Sequence, residues 1–227
     1  MSRPFVLFLC LVTFLVTDAD ATPYQCQSPA EVFVTTKDEE MNAHVCAAAE
    51  RAMVFLAEFA ITPRRAIHLN ISDAEIDGHG YAAFGSYDSR SDSIELMFFD
   101  AILERTENPQ MYGESFDLEH YTGAIAHEIA HAVVQHNLKA EPISTGPQEY
   151  LAHATQLGVM PKDRRRAIIR AMNVSSWESG DAISDVYMAI EPGKFAVKSY
   201  LHLTSTENPL DFVALLLNAK WFYVYVP

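Results

Sequence analysis

The sequence predicts an α+β chain, with a small N-terminal sheet containing a hairpin followed by a helical C-terminal half. Three observations carry this. Ala66–Ile71 alternates, placing Ile67, Leu69 and Ile71 on one face of a strand. Tyr81–Tyr87 and Ser93–Phe98 flank the polar stretch Asp88-Ser89-Arg90-Ser91-Asp92, the pattern of a hairpin. From residue 116 onward, apolar residues recur at helical spacing.

Taken in order, residues 1–21 read as a cleaved export signal. Arg3 precedes the apolar run Phe5–Val16, broken only by Thr13, and Ala19-Asp20-Ala21 supplies a small-x-small cleavage pattern. The run falls short of the roughly 20 residues that span a bilayer, and Asn218 and Lys220 interrupt the best later candidate. Residues 22–227 are therefore expected to form one soluble domain, periplasmic or secreted, with no membrane anchor after cleavage. Cys10 leaves with the signal, so Cys26 and Cys46 remain, an even pair in an oxidising compartment. Their expected bridge ties the mature N-terminus to the first helix and contributes about 3 kcal/mol.

Val32–Thr35 reads as a strand. Thr36-x-x-Glu39 then offers a capping box for a helix whose apolar positions run from Met41 through Val45, Ala48, Met53 and Leu56 to Phe59, ending before Pro63. Gly78 and Gly80 mark a turn, because the later Gly85 does not complete a dinucleotide fingerprint around Gly78-His79-Gly80. Helices are expected at about 99–106, 116–137, 147–158 and 161–172, with Pro161 in a first turn. From Phe195 the tail suits two helices, or a helix and a strand.

With 16 Lys+Arg against 30 Asp+Glu among 227 residues, the net charge is −14. Such a surface repels phosphate backbones and anionic membranes, so nucleic acid is excluded as the expected partner. Lys162-Asp163-Arg164-Arg165-Arg166 reads as a solvated helix face within this acidic whole. The sequons Asn70-Ile71-Ser72 and Asn173-Val174-Ser175 matter only in a eukaryotic secretory pathway.

The chemistry concentrates at His127-Glu128-Ile129-Ala130-His131. Residues four apart on a helix differ by about 40° in azimuth and lie one turn apart, so two imidazoles at that spacing can hold one metal ion. Glu128 projects about 100° away from His127 and cannot join them, but it can reach a water on the open side. Gly123–Val134 is otherwise apolar, so these polar groups need partners. A third ligand can come from three residues. His136 projects from a different face of the helix and reads as a solvated helix-end residue. Glu149 opens the next helix after a Pro- and Gly-containing turn and can return beside the histidines. His153, four residues further on the same face, is a ligand, an orienting partner or a donor to a reacting oxygen. His120 suits the cleft wall or the core, and His44, His68 and His202 have no partner visible in the sequence.

His127-Glu128-x-x-His131 followed by Glu149 resembles the zinc site of the gluzincin metallopeptidases, and Glu149-Tyr150-x-Ala152 resembles the Glu-x-x-Ala-Asp helix of the prenyl-protease-related members. The resemblance covers roughly residues 80–160 and departs at His153, where those relatives carry Asp. It implies a zincin-like fold, Zn2+ held by His127, His131 and Glu149, and hydrolysis of a peptide or protein substrate with Glu128 as general base. His153, or a tyrosine such as Tyr150, would stabilise the oxyanion. It also implies an edge strand lining the cleft, for which Ser93–Met97 is the candidate. The competing reading is an inactive exported binding protein on the same scaffold.

Overall fold

The computed structural model describes residues 22–78, 81–139, 143–178 and 183–218. The expected signal at 1–21, His79 and Gly80 of the glycine turn, and Lys220 lie outside them. In chain order the elements are β1 (Tyr24–Gln25), β2 (Val32–Thr35), α1 (Glu39–Ala57), β3 (Ile67–Ser72), β4 (Ile76–Gly78), β5 (Tyr81–Ala83), β6 (Gly85–Asp88) and β7 (Ser93–Met97). They continue with α2 (Phe99–Arg105), β8 (Gln110–Met111), β9 (Glu114–Ser115), α3 (Leu118–Asn137), α4 (Thr145–Gly158), α5 (Lys162–Met172), α6 (Asp185–Ile190), α7 (Pro192–Ser205) and α8 (Pro209–Leu216). The fold is mixed, with a small sheet built from the N-terminal part and helices dominating after Asp117, as the periodicities predict.

The main sheet has the order β1-β2-β3-β7-β6. β2, β3 and β7 run parallel, while β1 and β6 close the two edges antiparallel. Parallel neighbours need a crossover, and α1 supplies it between β2 and β3. Ile67, Leu69, Ile94 and Leu96 are buried on this sheet together with Val45, Ala49, Ala52 and Leu56 of α1. Cys26 and Cys46 are joined with Cα atoms 5.6 Å apart, fastening the N-terminal segment to α1. Among the described residues no helix is long and apolar enough to cross a membrane.

Several local expectations are corrected. Asp38, not Thr36, caps α1: its carboxylate accepts the Glu40 N–H at 2.9 Å, while Thr36 Oγ1 accepts the Asp38 N–H. A carboxylate immediately before the first turn also faces the positive end of the helix. Tyr81–Ala83 pairs with Ile76–Gly78 rather than with β7, so the main hairpin begins only at Gly85. Ser93–Met97 is not an edge strand. Its Ile94 and Leu96 lie beside Leu69 and Ile71 and are buried, whereas the half-buried Gly-Ser-Tyr-Asp of β6 takes the edge.

Pro161 stands one position before α5 rather than within its first turn. Up to residue 218 the tail contains two helices, α7 and α8, with α7 starting at Pro192. The six-residue α6 has too few turns to leave a periodic signal. Of the basic run of α5, Lys162, Asp163 and Arg166 are exposed as expected, but Arg164 and Arg165 are not solvated. Arg164 binds Glu114, Asp117 and Glu119, and Arg165 donates to the Gly158 and Met160 carbonyls at the end of α4. The three histidines without visible partners acquire them. His44 meets Thr122, His68 stacks on Phe33, and His202 bonds Tyr150.

Candidate metal centre

The centre lies between α3 and α4. Asp117 starts α3, accepting the N–H groups of Glu119 and His120, and His120 returns a ring nitrogen to the Asp117 N–H. α3 is buried around most of its circumference, so its polar residues meet protein on nearly every side. α4 runs antiparallel to it, with Glu149 beside His131, and Gln156 beside His127 and Gly123.

His127, His131 and Glu149 bring one ligand atom each to within 4.8 Å of one another. His127 Nε2 and His131 Nε2 are 3.1 Å apart, and each lies 3.4 Å from a Glu149 oxygen. Two ligands of a tetrahedral zinc ion with bonds of about 2.0–2.1 Å are separated by about 3.3–3.4 Å. Each nearest pair has about that spacing, His127 meeting Glu149 Oε2 and His131 meeting Oε1, so the carboxylate bridges the two imidazoles with one oxygen to each. Their side chains are 15%, 13% and 18% exposed, so the cluster has an open side.

The electrostatics single out the same point. Burial opposes a charge on His127, but the adjacent Glu149 outweighs it and raises the pKa. Burial holds His131 at about 4 against the pull of Glu149. Glu149 is buried too, yet the imidazoles of His131 and His127 hold its carboxyl far below the usual range. No Lys or Arg among the described residues forms an ion pair with Glu149 or Glu128. The donors converge without any protein cation between them.

Glu128 sits against the sheet edge instead of pointing into the cluster. The Tyr87 N–H of β6 donates to its carboxylate, and burial, then Glu149, push it up to about 7. The approach is close: a Cβ on Gly85 would lie 2.7 Å from Glu128 Cγ and 3.1 Å from its Oε1. β6 is thus the strand that lines the centre.

His153 packs its ring 4.7 Å from that of His127, with Nε2 3.6 Å from Glu149. Its Nδ1 is buried without a hydrogen bond of ordinary geometry, and burial holds the ring at about 3. It stands beyond Glu149, outside the three-donor set. Tyr150 is excluded from the centre. It is buried on another side of α4, with its hydroxyl 2.6 Å from His202 Nδ1. His136 is excluded as a ligand and is not solvated either. It is buried, accepts the Arg64 N–H at Nδ1 and lies 3.2 Å from Asp92 at Nε2. His120 is a core residue in contact with Arg164.

Three residues near the centre left no motif in the sequence. Gln156 Oε1 lies 3.1 Å from His127 Nδ1. Glu149, His153 and Gln156 follow at i, i+4 and i+7, one helical face, and that spacing was the available signal. Gly85 has no signal beyond being a glycine in a strand. Asp185, at the start of α6, is close enough to Glu149 for the two charges to repel. Burial and then Glu149 raise its pKa, while the Gly146 N–H donates to it, and its Oδ1 is buried without a partner.

Comparison with curated proteins and with solved structures gives no match. Residues 32–225 match the family described as a family of unknown function, DUF6639, and the chain belongs to that family.

Proposed function

We propose that this chain is an exported, zinc-dependent metallopeptidase with a zincin-like fold, in which His127, His131 and Glu149 hold the ion. The observation that carries the reading is the convergence of two imidazole Nε2 atoms 3.1 Å apart on one carboxylate, whose two oxygens each lie 3.4 Å from one of them, with all three side chains partly exposed. Bound zinc supplies Lewis acidity toward a carbonyl oxygen and toward water. Glu128 accepts the proton of the attacking water and passes it to the leaving amine. Gly85 leaves room for that carboxylate, and the Tyr87 N–H fixes its direction. His153, next to Glu149, is the candidate donor to the developing oxyanion. The outward edge of β6 suits an extended peptide pairing through its main chain. The disulfide and the apolar N-terminal run support export to the periplasm or beyond.

The test is elemental analysis of the purified chain, together with digestion of an unstructured protein with and without chelator. One equivalent of zinc and chelator-sensitive cleavage are expected. Zinc without cleavage would leave the binding-protein reading, and a chain that takes up no zinc would end the peptidase reading.

A further inference from the structure

His127 has two ring nitrogens and two competing claims on its proton. On one side, Nε2 lies 3.4 Å from a Glu149 oxygen. A carboxylate accepts hydrogen bonds only, so by itself it would draw the proton of a neutral imidazole to Nε2. That tautomer has no lone pair on Nε2, the nitrogen that faces the cluster. On the other side, Nδ1 lies 3.1 Å from Gln156 Oε1.

The orientation of the Gln156 amide decides between them. Its Nε2 lies 3.0 Å from Met111 Sδ, and a thioether is an acceptor and never a donor. The NH2 group therefore belongs on the Met111 side, which leaves the carbonyl oxygen facing His127. Gln156 is only 4% exposed, and Gly123 packs against it so closely that a Cβ there would lie 3.1 Å from Gln156 Cγ. The amide is clamped between the β8–β9 hairpin and α3 and cannot turn over freely. Its carbonyl also lies near the His153 ring, yet the bond of ordinary geometry goes to His127.

We infer that Gln156 is the positioning residue of the centre, holding the His127 proton on Nδ1 so that the Nε2 lone pair faces Glu149 and His131. Its consequence for metal binding rests on the zinc reading, but the tautomer itself does not. It also answers the departure at His153: the orienting partner sits one turn further along α4 and is neutral. A carboxylate there would add electron density to the imidazole. An amide fixes the ring and leaves the charge on the centre unchanged.

The test reads the metal-free chain first. Long-range 15N–1H NMR at alkaline pH, with the His127 signals assigned from a His127→Asn variant, gives the tautomer directly. Nδ1–H is expected in the wild type. Gln156→Met, of similar length but without the carbonyl, is expected to move the proton to Nε2, and Gln156→Glu to restore Nδ1–H. Nε2–H in the wild type would overturn the inference, even if Gln156→Met fails to fold. An unchanged tautomer in folded Gln156→Met would overturn it too. Chelator competition then supplies a separate readout, with zinc affinity falling about 10- to 100-fold in Gln156→Met and recovering in Gln156→Glu. A wild-type chain that binds no zinc would refute the peptidase reading while leaving the tautomer result to stand or fall alone.

Discussion

Helix α3 carries four histidines, and its ends treat them differently from its middle. At the N-terminal end, the His120 side chain is 0% exposed and lies among Asp117, Glu114 and the guanidinium of Arg164. At the C-terminal end, His136 is equally buried, bonded to the Arg64 N–H and to Asp92, which in turn binds Arg65 and the Tyr87 hydroxyl. Both outer networks contain their own fixed cation. In the middle, His127 and His131 face each other and Glu149 with no Lys or Arg in the set, and 15% and 13% of their side chains remain exposed. Two imidazole lone pairs 3.1 Å apart repel unless a proton or a cation lies between them. The outer histidines are finished structure. The inner pair has no Lys or Arg partner among the described residues, and it is here that the proposed zinc ion would sit.

Substitutions should separate the two kinds of histidine cleanly. The largest expected effect is that of Glu149→Ala, which removes the one anionic donor and should leave the purified chain without stoichiometric zinc. His153→Ala should weaken zinc by about 10- to 100-fold, as for a neighbour of a ligand. His136→Ala should leave zinc untouched. Competition with a calibrated chelator on the three variants measures the order, and zinc loss only in His136→Ala would invert the comparison.

Next in size is Glu128→Gln. Glu128 is bonded to the sheet edge and not to the cluster, so zinc content should be unchanged while peptide hydrolysis falls by about 10²-fold or more. Simultaneous loss of metal and activity would assign Glu128 a different role.

Gly85→Ala should be milder and mixed. The added methyl meets Glu128 Cγ and Leu96 Cδ2, each at 2.7 Å, so the chain should lose about 1–3 kcal/mol of stability. If Glu128 is the general base proposed above, hydrolysis should drop further than that loss explains, because its carboxylate is displaced. Thermal melts beside steady-state assays, with Ser86→Ala as the control on the same strand, distinguish the two effects.

The smallest effects belong to the outer networks. His136→Ala leaves Asp92 and the Arg64 N–H short of a partner and should cost about 1–3 kcal/mol of stability. The acid limb of stability should also report this cluster. The hydrogen bonds from Arg65, Tyr87 and His136 overcome burial and hold Asp92 down at about 2. A depressed carboxyl contributes stability above its unfolded pKa of about 3.9, and that contribution is lost as pH falls through about 2. Asp92→Asn should therefore flatten the stability profile between those values. An unchanged profile in urea melts would show that Asp92 carries none of the acid sensitivity.

The parts legible in the sequence were those written in local spacing. His127, Glu128 and His131 declare themselves through the helical turn. Glu149 follows from the breaker-rich stretch before it, and Ile67, Leu69 and Ile71 show their strand by alternation. What stayed hidden depends on partners distant in the chain. The hairpin turn at Asp88–Asp92 was visible, but which of its strands lies at the edge depends on β3 pairing with β7. Arg164 looked solvated because its acidic partners Glu114, Asp117 and Glu119 come from a different part of the chain. Tyr150 seemed available as an oxyanion donor until His202, far along in sequence, claimed its hydroxyl.

That Tyr150–His202 bond has a mechanical meaning. On α4 one face presents Glu149, and about 100° around the axis Tyr150 latches the helix to α7 and, through Phe212, to α8. A carboxylate projecting about 6 Å from a helix axis travels about 1 Å for every 10° the helix rolls. An error of that size is enough to cost on the order of 10²-fold in a reaction that depends on alignment. A phenol and an imidazole outside the cluster are therefore among the contacts that limit how far Glu149 can swing.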